Sequence, residues 1–172
     1  GATLADLDLP SNGALSLALT LHPFVLPHTL CMRESHSWVH HGMTLSRAGW
    51  RGPRSEALLA AAVYRFHPRF EPLPPRIWWG DNPGSTGATD ACAEGGDIMP
   101  LGHGVVLIGT GPRTQAPAAL QIAHSLFEGG AAQTVIVAQM PRLRGSEVLE
   151  RVFTQCSPEV VTYRPDVVDR IS

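Results

Sequence analysis

The chain has 172 residues, of which 44% are hydrophobic and 16% charged, and its formal net charge is -2. A chain of this length and apolar content is expected to form one domain with a buried core, which argues against intrinsic disorder. The near-neutral charge argues against a nucleic-acid or membrane-surface partner, since both favour a basic stripe. No apolar run approaches the roughly 20 residues that a membrane span requires.

The cysteine content points to a reducing compartment. Cys31, Cys92 and Cys156 are an odd number without CxxC spacing, which predicts neither a disulfide framework nor a zinc site. The first 30 residues include an apolar stretch but no Arg or Lys, so we do not expect a secretory signal. The sequence therefore predicts a cytoplasmic protein that carries no metal or other cofactor.

The first half of the chain predicts a hairpin, a helix and a further strand, followed by a loop. Gly42 marks the hairpin turn, and Pro53 and Pro68 lie just outside the two ends of the helix. The residues of these elements are 36–40 and 43–45 for the hairpin, 55–66 for the helix, 76–79 for the strand and 81–93 for the loop.

The same order of elements recurs in the second half. The predicted strands cover 97–101, 105–109 and 134–140, and the predicted helix covers 114–127. Thr114 is the expected N-cap of that helix, and Gly129 its stop. The run at 134–140 is nearly all apolar, which is typical of a strand that is buried on both faces.

The recurrence extends to individual residues. His41-Gly42-Met43-Thr44-Leu45 aligns with His103-Gly104-Val105-Val106-Leu107 at an offset of 62 residues, and a third copy begins with strands at 152–155 and 160–163. Self-similarity at such a period indicates a repeat or propeller-like architecture. The alternative is that two similar units arose by chance in an ordinary α/β domain.

Two motifs carry groups that could bind a ligand. In Glu94-Gly95-Gly96-Asp97, two glycines allow close approach to the main chain, and the acidic side chains suit a planar guanidinium. Arg113 lies at the start of a predicted helix, where a cation and helical N–H groups could hold a carboxylate. The alternatives are an ordinary turn for the first motif and a surface arginine for the second.

These motifs, in this order, resemble bacterial arginine deiminases. The stretch 94–171 is similar to the corresponding part of that family, and 24–70, which contains YRFHPRF at 64–70, is similar to the segment before it. The family fold is the pentein, a ring of five ββαβ blades. The resemblance thus implies an α/β fold, a partial pentein propeller with about two and a half of the five blades.

The resemblance also divides the chain into units. It implies a single incomplete domain over 1–172, in which residues 1–23 are poorly assigned. The units expected within it are 24–79, 94–140 and the beginning of a third at 147–172.

Arginine deiminases hydrolyse L-arginine to citrulline and ammonia, using a Cys nucleophile and a His that transfers protons. The resemblance implies that Glu94 binds the guanidinium and that Arg113 binds the α-carboxylate of L-arginine. It places Glu34 at a substrate-binding aspartate of the family. Another family arginine that binds the carboxylate falls on Pro53, with Arg54 adjacent.

The catalytic pair of the family has no counterpart in this chain. The family motif His-Leu-Asp reads Val148-Leu149-Glu150, so that Glu150 stands at a family aspartate and a valine at the catalytic histidine. The nucleophilic cysteine of the family lies beyond the position of Ser172. We expect none of Cys31, Cys92 and Cys156 to replace it, since a nearby carboxylate disfavours a thiolate at the first two. The chain is therefore expected to be inactive on its own.

Other interpretations remain open at this point. The chain could be a non-catalytic module that senses arginine, or one that associates with other penteins as a homo-oligomer or with a complementing C-terminal half. It could also be a decayed fragment. His36, His40 and His41 form a small cluster, but two ligands on one strand face do not make a zinc site, so we expect surface histidines of the hairpin.

Overall fold

A computed structural model of the protein describes residues 32–47, 55–80 and 91–172. The predictions for the N-terminal apolar stretch, Cys31, Arg54 and most of the loop at 81–93 lie outside the described residues. The elements form two three-stranded sheets and one two-stranded sheet, with helices between them. No helix of the described part is both long and apolar enough to cross a membrane.

The first sheet has a hairpin followed by a parallel strand. After the short helix α1 (Met32–Ser35), strand β1 (His36–Val39) pairs antiparallel with β2 (Gly42–Leu45). Helix α2 (Ser55–Phe66) then leads to β3 (Arg76–Trp79), which pairs parallel with β2. The predicted helix at 55–66 is confirmed over these residues, and it ends at Phe66 as expected.

The hairpin turn lies one step earlier than the sequence predicted. His40 and His41 make the turn, with φ of 52° at His40, and Gly42 is the first residue of β2. Gly42 is needed for a close approach instead, because a Cβ there would lie 2.5 Å from Nε1 of Trp78 on β3. The glycine therefore admits the Trp78 ring.

The second sheet repeats this topology. Strands β4 (Ile98–Gly102) and β5 (Val105–Thr110) form an antiparallel hairpin. Helix α3 (Ala116–Glu128) leads to β6 (Thr134–Gln139), which pairs parallel with β5.

A third hairpin follows the second sheet. Strands β7 (Phe153–Ser157) and β8 (Val160–Tyr163) pair antiparallel, and the short helix α4 (Pro165–Val168) comes after them. The chain therefore uses the hairpin as its recurring unit, as the internal similarity suggested.

One apolar core joins the first two sheets. Helix α3 supplies side chains from one face, at the spacing of an amphipathic helix, and they meet buried residues of β1, β3, β4 and β5. The helix residues are Ala118, Ala119, Ile122 and Leu126, and the strand residues are Val39, Trp78, Ile98, Val106 and Ile108. A second cluster, which includes Met99, Met140, Leu149, Val152 and Val167, connects the second sheet to the third hairpin.

Three further predictions, about Thr114, strand β6 and Asp97, were wrong. Thr114 is not the N-cap of α3, because its hydroxyl binds the Asp97 carboxylate. The helix begins at Ala116, and Gln115 is its N-cap. Strand β6 is not buried on both faces: Ile136 is 46% and Val137 44% exposed, since β6 lies at the edge of its sheet. Asp97 lies in a 3-10 turn and not in β4, and this places its carboxyl in the interior.

Candidate functional site

Two 3-10 turns and helix α1 meet around the Glu-Gly-Gly-Asp motif. We call Gly95–Asp97 the first turn and Leu149–Arg151 the second turn. A Cβ on Gly95 would collide with the carbonyl oxygen of Arg33 in α1. A Cβ on Gly96 would lie 2.7 Å from Cγ1 of Val148 and 2.8 Å from Cδ of Glu150. The two glycines therefore allow α1 and the second turn to pack directly against the first turn.

The carboxylate of Glu94 binds the guanidinium of Arg113. Nη1 of Arg113 donates to Oε2 of Glu94 at 2.9 Å and to Oε1 at 3.2 Å, and the Glu94 side chain is only 12% exposed. Burial would lower the pKa of Arg113, but the hydrogen bond and the charge of Glu94 outweigh it, so this pKa is raised. The charges of Glu34 and Glu147 act in the same direction, so Arg113 lies among several acids.

Glu150 faces α1 from the second turn. Its Oε2 lies 3.9 Å from Nη1 of Arg33, and the two side chains are 27% and 44% exposed. Glu147 directly precedes Val148, and its Oε2 lies 3.8 Å from Nη1 of Arg151. Glu147 and Glu150 therefore form an acidic rim of the site, and the positive charges of Arg151 and Arg33 partly balance it.

Below this rim, Asp97 is buried. Its Oδ2 accepts a hydrogen bond from the Thr114 hydroxyl at 2.6 Å, and its Oδ1 accepts one from the Leu149 N–H at 2.7 Å. The same hydroxyl oxygen of Thr114 accepts the N–H of Glu94 at 3.0 Å. Burial raises the pKa of Asp97 to about 6, although the two hydrogen bonds act against it.

The structure thus brings together four of the five site residues expected from the sequence. Glu34, Glu94, Arg113 and Glu150 lie on segments that converge at the first turn, whereas Arg54 is outside the described residues. Val148, at the position of the family histidine, is buried against Gly96.

Sequence reasoning misjudged Asp97 and Thr114, which lie beside this group, and missed Glu147. Asp97 belongs to the motif already singled out, yet nothing local indicates that its carboxyl is buried. Thr114 looked like a helix cap, and its bond to Asp97 spans 17 positions of the sequence. Glu147 directly precedes the Val-Leu-Glu segment, and this proximity is the signal that could have identified it.

The other candidate residues do not form a second centre. In the described part of the chain no three His, Cys, Asp or Glu side chains are grouped as metal ligands would be. Neither Cys92 nor Cys156 forms a disulfide. His36 is not the surface residue we expected: its ring is buried between the Ser35 hydroxyl, 2.7 Å from Nδ1, and the Tyr64 hydroxyl, 3.3 Å from Nε2, and burial lowers its pKa.

The fold is shared with two solved structures, DDAH and the N-terminal domain of ArgZ. DDAH from Pseudomonas aeruginosa, complexed with citrulline, superposes with a TM-score of 0.57 at 20% identity, over 82% of this chain and 51% of that one. The N-terminal domain of ArgZ, an arginine dihydrolase from cyanobacteria, superposes in its substrate-bound form with a TM-score of 0.59 at 17% identity, over 79% of this chain and 44% of that one. At these identities the likeness establishes the fold, which is that of the penteins.

Sequence comparison gives the family. An arginine deiminase from Mycobacterium avium (strain 104) is 31% identical over 178 aligned residues, which cover 100% of this chain and 42% of that protein. The chain therefore spans less than half the length of this curated relative. The sequence model of the arginine deiminase family matches residues 16–172. The chain belongs to the arginine deiminase family.

Proposed function

We propose that this chain forms the guanidinium-binding part of an arginine deiminase-like site and that its ligand is L-arginine. The observation that carries the proposal is the Glu94 carboxylate, which is largely buried and already holds a guanidinium, that of Arg113, with both oxygens. A carboxylate in this setting forms charge-assisted hydrogen bonds that are stronger than those in open solvent. The guanidinium of a ligand has the same donors and the same charge.

Binding of L-arginine requires that Arg113 move away from Glu94. Six bonds of about 1.3–1.5 Å each separate the guanidinium carbon of arginine from its carboxyl carbon. The two groups of one extended ligand cannot both lie within the 2.9 Å contact that now joins Glu94 to Arg113. We therefore propose an exchange, in which the ligand guanidinium takes the place of Arg113 and Arg113 turns to the α-carboxylate.

Glu34 and Glu150 are proposed as further acids around the ligand, and Arg54 as a second group for its carboxylate. The charge of Glu34 already acts on Arg113, and Glu150 faces Arg33 across the first turn. Several carboxylates around one cation orient it and offset the cost of removing it from water. Arg54 enters this proposal only because it is adjacent to Pro53, on which a carboxylate-binding arginine of the family falls.

We propose that the chain does not hydrolyse arginine by itself. The family reaction needs a proton-transferring group at the position that Val148 occupies, and a valine side chain cannot transfer a proton. We propose neither described cysteine as a substitute nucleophile: Cys92 lies two positions before Glu94, whose carboxylate would disfavour a nearby thiolate, and Cys156 lies on β7, in the third hairpin. The half-site would then need its nucleophile from another polypeptide segment.

A second candidate function is association with another pentein segment. Strands β2 and β5 each bind a parallel third strand, whereas β8 has no such partner among the described residues. On β8, Val160, Val161 and Tyr163 are 53%, 46% and 55% exposed. A strand edge with exposed apolar side chains favours pairing with another strand.

We therefore propose a partial propeller of about two and a half of five blades, with units at 24–79, 94–140 and 147–172. A complementing C-terminal half or a second copy of the chain would cover β8. Sedimentation of the purified chain tests this proposal: an assembly larger than one chain, or capture of an added C-terminal half of a relative, is expected, and a monomer that captures nothing contradicts it. From the odd number of cysteines without CxxC spacing we propose a reducing, cytoplasmic location for the protein.

Citrulline formation and ligand binding test the main proposal. Purified chain incubated with L-arginine should produce no more citrulline than its Glu94→Ala variant, and production clearly above that control would refute the proposed inactivity. In calorimetric titration the wild-type chain should bind L-arginine, and Glu94→Gln should weaken binding at least about tenfold, because it replaces a charge-assisted pair with a neutral one. Equal affinities would contradict the assignment of Glu94.

A further inference from the structure

Asp97 is the one acid of the Glu-Gly-Gly-Asp motif that the proposed function does not use. It is 1% exposed, so a ligand at the rim cannot reach it without rearrangement. Burying a carboxylate is costly unless its oxygens are bound, and both oxygens of Asp97 are bound to groups of the chain itself. An acid retained in the interior at this cost calls for a role.

The hydrogen bonds of Asp97 link it to the main chain at or beside three residues of the site, Glu94, Arg113 and Glu150. Through the Thr114 hydroxyl, Oδ2 is linked to the backbone N–H of Glu94. Thr114 directly follows Arg113, so the same link holds both partners of the Glu94–Arg113 pair at their main chains. Through the Leu149 N–H, Oδ1 holds the second turn at the residue before Glu150.

We propose that Asp97 is a positioning residue of the guanidinium site. Its hydrogen bonds fix the Glu94 carboxylate, the Arg113 side chain and the second turn relative to one another. This inference rests on the proposed function, since the affinity it controls is that for a guanidinium. The direction of the hydrogen bonds is essential to it. Because the ionised carboxylate only accepts, the Thr114 hydroxyl must donate to it, and the hydroxyl oxygen then remains available for the Glu94 N–H.

The arrangement couples the site to pH. Protonation removes the charge of the Asp97 carboxyl and so weakens the acceptor that holds the Thr114 hydroxyl and the Leu149 N–H. The raised pKa of about 6 places that event in mildly acidic solution. Two nearby charges act on the pKa of Asp97 in opposite directions: that of Glu94 raises it and that of Arg113 lowers it. We therefore expect guanidinium affinity to fall as the pH decreases through about 6, with the loss removed when residue 97 cannot ionise.

The affinity test compares L-arginine binding to wild type, Asp97→Asn and Thr114→Val across pH 5–8. At pH 7.5 each variant should bind at least about tenfold more weakly, since each loses a hydrogen bond to a charged group. The double variant should be no weaker than the worse single variant, because both break one relay. Thr114→Ser, which keeps the hydroxyl, should restore affinity, and Asp97→Asn should lose the pH dependence near 6.

Thr110→Val is the matched control. It also removes a buried threonine hydroxyl, which donates to the Ala138 carbonyl on β6 at 3.3 Å, and it should change affinity less than about twofold. Thermal unfolding of every variant establishes that it is folded. Affinity and pH profile unchanged in Asp97→Asn, or strictly additive effects in the double variant, would overturn the positioning role.

A readout without ligand separates this inference from the proposed function. In the free protein the amide resonances of Glu94 and Leu149 should titrate together with a midpoint near pH 6, and this shared midpoint should vanish in Asp97→Asn but persist in Thr110→Val. If wild type binds no arginine, the proposed function fails. The role of Asp97 in holding these segments is then tested by the two amide resonances alone. Titrations that are absent, or that are independent of each other, refute it.

Discussion

Replacing Asp97 with asparagine should change the way in which the stability of the protein depends on pH. Burial raises the pKa of this carboxyl from 3.8 to about 6, so the folded state binds its proton more tightly than the unfolded state. The stabilisation that results is fully present below pH 3.8 and is lost as the pH rises through about 6. This direction is opposite to that of an ordinary ion-paired carboxylate, which loses stability in acid.

The magnitude follows from the same two values. Because a tenfold change in proton affinity corresponds to about 1.4 kcal/mol, the difference between 3.8 and about 6 amounts to about 3 kcal/mol over the whole range. On the order of 1 kcal/mol of this falls between pH 7 and pH 5. Asparagine has no charge to neutralise, so the variant lacks this contribution entirely.

Urea denaturation of wild type and Asp97→Asn at several pH values measures the effect. The free energy of unfolding of wild type, relative to that of the variant, should increase on the order of 1 kcal/mol from pH 7 to pH 5. Taking the difference is necessary because His36, whose pKa is lowered by burial, destabilises the fold as the pH falls and affects both proteins alike. A difference that is constant with pH, or that decreases in acid, would refute the buried ionisable carboxyl.

Two further predictions concern packing. Leu126→Ala should lower the free energy of unfolding by about 3 kcal/mol, since Leu126 is fully buried in the core. Leu120 on the same helix is 66% exposed, so Leu120→Ala should lower it by about 0.5 kcal/mol or less. Equal losses in denaturation would contradict the assigned face of the helix. Gly95→Ala should lower the free energy of unfolding on the order of 2 kcal/mol, because the new Cβ collides with the Arg33 carbonyl. Gly111→Ala is the control: its Cβ would meet only Met140, at 3.5 Å, so it should melt close to wild type. A Gly95→Ala protein as stable as this control would show that α1 does not pack closely on the first turn.

Local signals predicted the elements well where the determinants are local. Helix α2 covers the expected residues and ends at Phe66 as expected, because its apolar spacing and the proline that follows it act within a few residues. The exposure of β6 could not be predicted in this way: a run of apolar residues does not reveal whether a strand is central or at an edge, which depends on what pairs beside it.

The site could be predicted in part. Glu94 and Arg113 stood out by residue type and by resemblance, but their direct contact depends on how the start of α3 packs on the first turn. Asp97 and Thr114 were misjudged for a related reason. A short polar side chain near a helix start is usually a cap, and only the tertiary position of Asp97 directs the Thr114 hydroxyl away from that role.

A pair of calorimetric titrations tests the central claim, that the Glu94 carboxylate of this chain recognises a guanidinium. L-Arginine and L-citrulline have nearly the same shape, but only arginine carries a positive charge that can take the place of the Arg113 guanidinium on Glu94. We predict that the wild-type chain binds L-arginine at least about tenfold more tightly than L-citrulline, and that Glu94→Gln abolishes this preference. Equal binding of the two ligands, or a preference that survives in Glu94→Gln, would contradict it.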